Sequence, residues 1–469
     1  MLKKKENHEI TAKEPINPLL ILAVIILIAA IATYVVPAGS FDRVLNEVTG
    51  YDMVDVDSFH LTEKNPVTPF NLFVSLTLGL QNAAYVIFFL MIIGGMIKVV
   101  ESTGALHAGL SNVVIKMKGK ELLLIPVCIF LFGLVSAMAA CCEEYLAFMP
   151  LMYVVCVAAG FDSITAVALL FCASAVGYAG GMTQAFSVGV AQSIAGLPMF
   201  SGMGLRTAVF LVLATVTSIY LMLRARKLKK RPELNEMAAT DHKYAEQLDL
   251  AAVQPITGRQ AAVLVIFAAS FVAVAFCVIK LGFYIDEMSG IFLIAALLVA
   301  VVARIKPNDF VNLFVEGCKD LLFAGLIIGM CNAVTMILSD AGVMDTLIYS
   351  VGSLLTGLNA KVSACGMFVL QDLLNFLIPS GSGQAAITMP FMAPLSDILG
   401  VSRQTAVLAF QMGDAFTNVV TPTSGELMAA LAICHVPYKK WLKFMVPLWI
   451  VWCVVAFIFL ILAVSIGYV

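Results

Sequence analysis

Apolar residues in this sequence are gathered into thirteen stretches, and nothing else constrains the fold as strongly. They lie near 18–36, 82–100, 121–138, 144–158, 163–180, 205–223, 260–280, 288–304, 320–338, 361–378, 384–398, 404–420 and 442–465. A helix of about 20 apolar residues spans the roughly 30 Å hydrocarbon core of a bilayer. Composition agrees: of 469 residues, 61% are apolar even without glycine and 12% are charged. Soluble domains run to about 45–50% and about 25%. A soluble globule has too little interior for that load, so the chain reads as an all-α polytopic membrane protein. Disordered, disulfide-framework and nucleic-acid-binding classes are excluded. Most of the 11 cysteines fall inside apolar stretches as small buried residues. The 5 histidines are scattered singly, without ligand spacing, so no metal site is expected from them.

Charge orients the stretches. Lys3, Lys4 and Lys5 precede the first one, which is longer than the roughly 7–15-residue core of a cleavable signal. It reads as a retained anchor with a cytoplasmic N-terminus. The loop from Pro37 to Pro66 sets Asp42, Glu47, Asp52, Asp55, Asp57 and Glu63 against only Arg43 and Lys64, which suits the outside. Lys116, Lys118 and Lys120 mark an inside turn. So does the basic stretch from Arg224 onward, with Lys227, Lys229, Lys230, Arg231 and Lys243. The stretches at 144–158 and 384–398 reach only about 22 Å as helices. They read as arms of re-entrant hairpins.

Shifting the chain by 240 residues lays Met149-Pro150 on Met389-Pro390, Gly160 on Gly400, Thr165-Ala166-Val167 on Thr405-Ala406-Val407, Ala175 on Ala415 and Thr183 on Thr423. This predicts a first repeat over 1–224, with a hairpin near 121–158 and a broken helix near 163–197. A cytoplasmic linker over 225–258 and a topology-inverting helix over 259–284 follow. A second repeat over 285–469 has its hairpin near 361–398 and its broken helix near 404–434. Inverted repeats with broken helices mark secondary transporters.

The breaks are where chemistry is expected. Pro379-Ser380-Gly381-Ser382-Gly383-Gln384 separates two apolar arms, and Ser380 or Ser382 can cap the second, turning its N–H groups toward a cavity. Thr421-Pro422-Thr423-Ser424-Gly425 interrupts the next span, where hydroxyls and freed carbonyls suit a small cation or a substrate group. The first-half counterparts are Gly180-Gly181-Met182-Thr183-Gln184 and the tip from Ala139 to Glu144, which has no glycine. Gln411, Asp414, Asn418 and Thr421 form one polar stripe. Asp414 lies about 16 Å below Arg403 along a helix, at mid-bilayer. An acid at that depth costs a few kcal/mol and marks a functional site by default, the bland alternative being a hydrogen bond to a backbone break. Glu143 and Glu144 sit at a helix start. Lys98, Arg206 and Arg403 lie near span ends where they can snorkel. The deep charge is therefore read as acidic, favouring a cationic substrate group, a coupling cation or a titrating carboxyl.

The block SGSGQAAITMPFMAPLSDILGVSRQTAVLAFQMGDAFTNVVTPTSG (380–425), with EEYLAFMPL (143–151), GFDSITAV (160–167), VGVAQSIAGLP (188–198) and VPAGSFDR (36–43), resembles the YfcC-type carriers. These belong to the four-carbon-dicarboxylate anaerobic carrier (DcuC-like) family of the ion transporter superfamily. The resemblance covers the whole membrane portion. It implies an elevator-type secondary carrier, usually a homodimer, in a bacterial inner membrane. The implied substrate is a dicarboxylate or, as in several relatives, a basic amino acid such as arginine exchanged for ornithine. It places substrate and ion sites at Glu143, Glu144, Thr183, Gln184, Ser380, Ser382, Gln384, Asp414, Asn418, Thr421, Thr423 and Ser424. No cofactor is implied beyond Na⁺ or H⁺ as coupling ion, with Na⁺ at Ser380, Ser382, Thr421 and Thr423. One departure is Gln184-Ala185-Phe186, where the family has Asn-Pro-Phe.

The expected activity is secondary transport of a small amino acid, leaning to a basic one, coupled to Na⁺, H⁺ or counter-substrate. Two other classes are weaker. An intramembrane aspartyl protease needs a second deep aspartate; Asp372 is available, but the Tyr-Asp pair occurs only at Tyr51-Asp52 in the outer loop. A channel would need repeated filter residues, and none are present.

Overall fold

The structure is a computed structural model that describes residues 18–45, 52–55, 58–105, 108, 120–241, 256–281, 283, 285–355 and 357–469. The expectations on Lys3, Lys4, Lys5, Glu47, Tyr51, Asp57, Lys116, Lys118 and Lys243 fall outside these residues.

Helix α1 (Pro18–Val35) leads through the acidic loop to α2 (Pro69–Asn82) and α3 (Ala84–Ser102). In that loop β1 (Gly39–Ser40) pairs antiparallel with β4 (His60–Leu61), and β2 (Arg43–Leu45) with β3 (Asp52–Val54). A helical pair, α4 (Leu124–Ala139) and α5 (Tyr145–Ala158), precedes α6 (Ser163–Gly180). Beyond a break come a π-helical turn (Ala185–Gly189), the short α7 (Val190–Ile194) and the long α8 (Met203–Lys230). Helices α9 (Gly258–Leu281), α10 (Ile285–Ala303), α11 (Pro307–Asp340) and α12 (Val343–Gly352) follow. The order then recurs: a pair, α13 (Ala360–Asn375) and α14 (Gly381–Ile398), then α15 (Arg403–Thr417), a break, the short α16 (Gly425–Ile433) and the long α17 (Tyr438–Ile466). Among the described residues, 7 helices are long and apolar enough to cross a membrane.

Two packed bodies result. Helix α11 lies along α3, with α1, α2 and α10 around them. In the other body α6 and α15 meet at the centre, α4 packs on α6 and α13 on α15. Each short helix beyond a break rests on the opposite half's hairpin, α7 on α14 and α16 on α5. Helix α6 is buried along almost its whole length, as expected of a helix apolar all round.

The 240-residue repeat extends to turn chemistry. Before α6, the N–H groups of Ala159, Gly160 and Phe161 donate to the carbonyls of Val155, Val157 and Cys156. Before α15, those of Leu399, Gly400 and Val401 donate to Leu395, Asp397 and Ser396. Gly160 and Gly400 both take positive φ, 79° and 66°, as the C′ position of such a turn demands. Asp162 then caps α6 by accepting the Thr165 N–H at 3.0 Å, and Ser402 caps α15 by accepting the Thr405 N–H at 3.2 Å. Further on, the turn at Ala195-Gly196-Leu197 repeats at Cys434-His435-Val436, now 239 residues away. The π-helical turn absorbs the one extra residue in the first half, the usual effect of inserting a residue into an α-helix.

Some elements differ from the sequence expectation. Helix α2, with Asn71, Ser75, Thr77 and Gln81, is too polar to register as an apolar stretch, although Thr68 caps it and Pro69 opens it. Helix α12 is only 10 residues long and escapes the same way. Helix α11 begins at Pro307 instead of near 320, because its first turns carry Asp309, Glu316, Lys319 and Asp320. Helix α8 continues past Arg224 to Lys230, inside the stretch read as linker. That linker is anchored: Asp241 accepts the Ser163 N–H at 3.2 Å, and burial lifts its carboxyl above the ordinary aspartate range. Beside it the Arg224 guanidinium pairs with the buried Asp162.

Removing the α15 cap with Ser402→Ala is expected to cost about 1 kcal/mol. Asp162→Ala should cost more, because it also strands Arg224. Thermal melting in detergent checks this; equal shifts for both variants would show that the Arg224 pair adds nothing.

Candidate functional site

A helix broken inside a bilayer frees carbonyl and N–H groups that lipid cannot satisfy. Here the first hairpin tip accepts the freed N–H groups of the first break, Gln411 donates to the freed Tyr178 carbonyl, and Trp441 and Tyr438 of α17 donate to the freed carbonyls of Val419 and Val420 at the second. Beyond Gly180, the N–H groups of Met182 and Thr183 both donate to the Ala137 carbonyl, at 2.7 and 3.2 Å. The Thr183 hydroxyl donates to Met138 O at 3.2 Å, and the Gln184 amide to Ser136 O at 2.6 Å. In the second half the Thr423 hydroxyl donates to Phe376 O at 2.6 Å, the carbonyl 240 residues beyond that of Ser136. Each break is thus pinned to the first arm of its own hairpin. The first tip turns without glycine: Ala140 takes φ 59°. Ser380 caps α14 by accepting the Gly383 N–H at 3.3 Å.

Between the hairpins lies a cavity of about 510 Å³. Its polar wall includes Glu143, Glu144, Thr183, Ser380, Ser382 and Asn418 from the expected set. Positions related by the repeat face it together: Ala140 and Ser380, Cys142 and Ser382, Ala175 and Ala415, Tyr178 and Asn418, and, after the one-residue slip, Ser187 and Glu426. Tyr85 of α3 and Asn332 of α11 close the side toward the other body.

Two groups of residues on the cavity wall differ chemically. One is acidic: Glu144, 6% exposed, accepts the Cys142 N–H at 2.8 Å, Glu143 lies beside it, and Glu426 accepts from the Ser424 hydroxyl at 3.2 Å. The other combines the capped N-terminus of α14 with Ser187, whose buried hydroxyl has no partner. No Lys, Arg or His is among the described residues lining the cavity.

The remaining expected residues sit behind the wall. Gln384, fully buried, donates to the Gln371 carbonyl and side chain at 2.8 and 2.7 Å and accepts from Asn375 at 2.9 Å. Asn375 also donates to Asp414 Oδ1 at 2.9 Å, and Asn418 does so at 3.3 Å. Asp414 Oδ2 is buried without a partner beside Gly381, where an added Cβ would stand 3.0 Å from it. The counterpart of Asp414 in the first half, Ser174, contacts the counterpart of Gly381: its hydroxyl donates to Cys141 O at 2.8 Å. Asp414 therefore lies just behind the second hairpin tip, held on one oxygen by two amides. The Thr421 and Thr423 hydroxyls bond one another at 2.7 Å, and Ser424 caps α16. Of the four hydroxyls suggested for Na⁺, Ser380 and Ser382 line the cavity, while Thr421 and Thr423 are buried outside its lining.

Arg206 departs from expectation. It is fully buried and does not snorkel; it donates to the carbonyls of Ser201 at 2.7 Å and Gly181 at 3.5 Å, supporting the first break away from the cavity. The two aspartates of the protease reading each have their own partners, Asp372 accepting from the Thr417 hydroxyl at 2.5 Å. Glu426 and Ser187 also line the cavity, and sequence reasoning did not single them out. Each lies just beyond a break, at places 239 residues apart.

A multi-pass helical protein with a polar cavity between two hairpins and two broken helices is built as a carrier. Residues 17–465 match the C4-dicarboxylate anaerobic carrier family, DcuC, and the chain belongs to it. It is a membrane transporter and not an enzyme. It is 32% identical over 464 residues to the Escherichia coli K12 protein named "Putative basic amino acid antiporter YfcC", covering 91% of this chain and 92% of that one. An uncharacterized Haemophilus influenzae protein is 29% identical over 378 residues, 80% of this chain and 74% of that one. Two solved structures align over most of the chain at low scores. The Alcanivorax borkumensis YdaH transporter gives TM-score 0.42 and 17% identity, over 96% of this chain and 99% of that one. Neisseria gonorrhoeae MtrF, from a class of antimetabolite efflux pumps, gives 0.41 and 16%, over 96% and 95%.

Gly381→Ala is expected to cut transport at least tenfold by pushing the hairpin tip off Asp414, with expression and melting temperature little changed. Uptake at the wild-type rate would show that the tip tolerates a side chain there.

Proposed function

We propose that this protein is a secondary carrier of basic amino acids, of the arginine and ornithine class, working by exchange. The observation that carries the reading is a cavity wall that joins two chemistries. The acidic group, Glu143, Glu144 and Glu426, suits the cationic groups of such a substrate. The capped N-terminus of α14 suits a carboxylate, since helix N-termini present free N–H groups and a positive dipole end. The name of the Escherichia coli relative is in keeping with it.

A dicarboxylate is the second reading, from the family's description. Three carboxylates with no basic residue among the described lining repel it. The proposed architecture is an inverted repeat in which both hairpins and both broken helices move as one body against the α3–α11 body, in an inner-membrane homodimer with a cytoplasmic N-terminus. The recurrence of elements and turns supports the repeat.

Proteoliposomes preloaded with ornithine should take up labelled arginine saturably, and faster than empty ones. Succinate uptake should be negligible. Robust succinate uptake with no amino-acid uptake would replace this reading with the second.

A further inference from the structure

We infer that the carrier is coupled to protons by competition: the acidic group on the cavity wall holds protons when the cavity is empty and gives them up when a basic amino acid binds. This rests on the proposed substrate class. Glu143 and Glu144 come from the first hairpin tip and Glu426 from the start of α16, which packs on α5 and brings it to that tip. Their counterparts across the repeat are neutral: Gly383, Gln384 and Ser187. Among the described residues no basic side chain faces the three carboxylates; the Cys142 N–H and the Ser424 hydroxyl donate to Glu144 and Glu426, which leaves most of their charge uncompensated. The groups facing them are Cys142 and Tyr145 on the same hairpin, Tyr178 from α6, Tyr85 from α3, Cys331 from α11 and Asp414 from α15, none of them basic.

Like charges that share one low-dielectric site do not all ionise, and their protons belong to the group as a whole. The empty cavity therefore keeps part of this trio as neutral acid. A second feature points to a ligand here: the Ser187 hydroxyl, 1% exposed and without a partner, faces the same cavity. A basic amino acid brings two cationic groups and one carboxylate. With the carboxylate at α14 and Ser187, the cations sit against the glutamates and stabilise their ionised form. The balance is simple: a glutamic acid becomes a glutamate, its proton passes to water, and no covalent bond within the substrate changes. A carrier that crosses loaded with either protons or substrate exchanges one for the other. Proton-for-amino-acid antiport then needs no separate cation site.

The test uses purified full-length protein in detergent with L-arginine as probe. Titration calorimetry in buffers of different ionisation enthalpy should report release of about one proton per arginine bound. The dissociation constant should fall about tenfold per pH unit for each proton released. Glu144→Gln and Glu426→Gln should reduce the release. Arginine binding with no proton release and no pH dependence would overturn the coupling while leaving the substrate class intact. Binding of succinate but of no basic amino acid would overturn the substrate class itself. Release unchanged in Glu143→Gln, Glu144→Gln and Glu426→Gln alike would place the proton elsewhere and also sink the inference.

Discussion

What holds this molecule together at its functional centre is the need to satisfy backbone released where α6 and α15 stop inside the membrane. Lipid offers no hydrogen bonds, so each break must lie against something that does. In the first half the freed N–H groups meet the last turn of the hairpin's first arm, whose own C-terminal carbonyls also lack intrahelical partners, so two sets of orphaned groups cancel. In the second half Trp441 and Tyr438 of α17 donate to the freed carbonyls of Val419 and Val420. Gln184 on Ser136 and Thr423 on Phe376 do the same task with different chemistry at equivalent carbonyls. That difference also explains why Gln184-Ala185-Phe186 is compatible with the fold. The longer amide reaches the tip, and the extra residue beyond it is absorbed as a π-helical turn.

Much of this was legible in the residues, and the reason is periodicity of two kinds. Apolar runs long enough to cross a bilayer exposed most spans, and the 240-residue shift exposed the recurrence of hairpin, helix, break and helix. Local chemistry located the breaks, since Pro-Ser-Gly-Ser-Gly and Thr-Pro-Thr-Ser-Gly fit no continuous helix. The misses have a common cause. Helix α2 and the first turns of α11 carry polar and charged residues and are held by packing, α2 on α11 and the first turns of α11 on α3, which no window on one segment can sense. The first hairpin tip, read at Ala139 to Glu144 without a glycine, turns at Ala140, which takes a left-handed conformation that usually announces itself with glycine.

The site was legible as a region and less so as a set of side chains. Sequence spacing tells which residues share a helix face, and so gathered Gln411, Asp414 and Asn418. It does not tell which neighbour that face meets. Asp414 meets a hairpin tip and two amides, whereas Asn418, one turn on, meets the cavity. Glu426 was overlooked because a glutamate in the first turn of a helix is ordinary surface chemistry. The packing of α16 on α11 and on the opposite hairpin makes it an interior group. Arg206 erred the other way: its position near a span end suggested water, yet the carbonyl of the first break and the Ser201 turn enclose it.

Repetition builds the cavity, and departure from repetition gives it polarity. Equivalent positions from the two halves line it, so two identical halves would present the same groups twice and could not tell the ends of a substrate apart. Here one tip carries Glu143 and Glu144 where the other carries Gly383 and Gln384, and one short helix begins with Glu426 where the other has Ser187. Because each short helix lies on the opposite hairpin, these substitutions segregate. The three glutamates gather where α16 meets the first hairpin, and the Ser187 hydroxyl lies by the N-terminus of α14. The crossing of halves, more than the number of acids, is what turns a duplicated scaffold into a site with a direction.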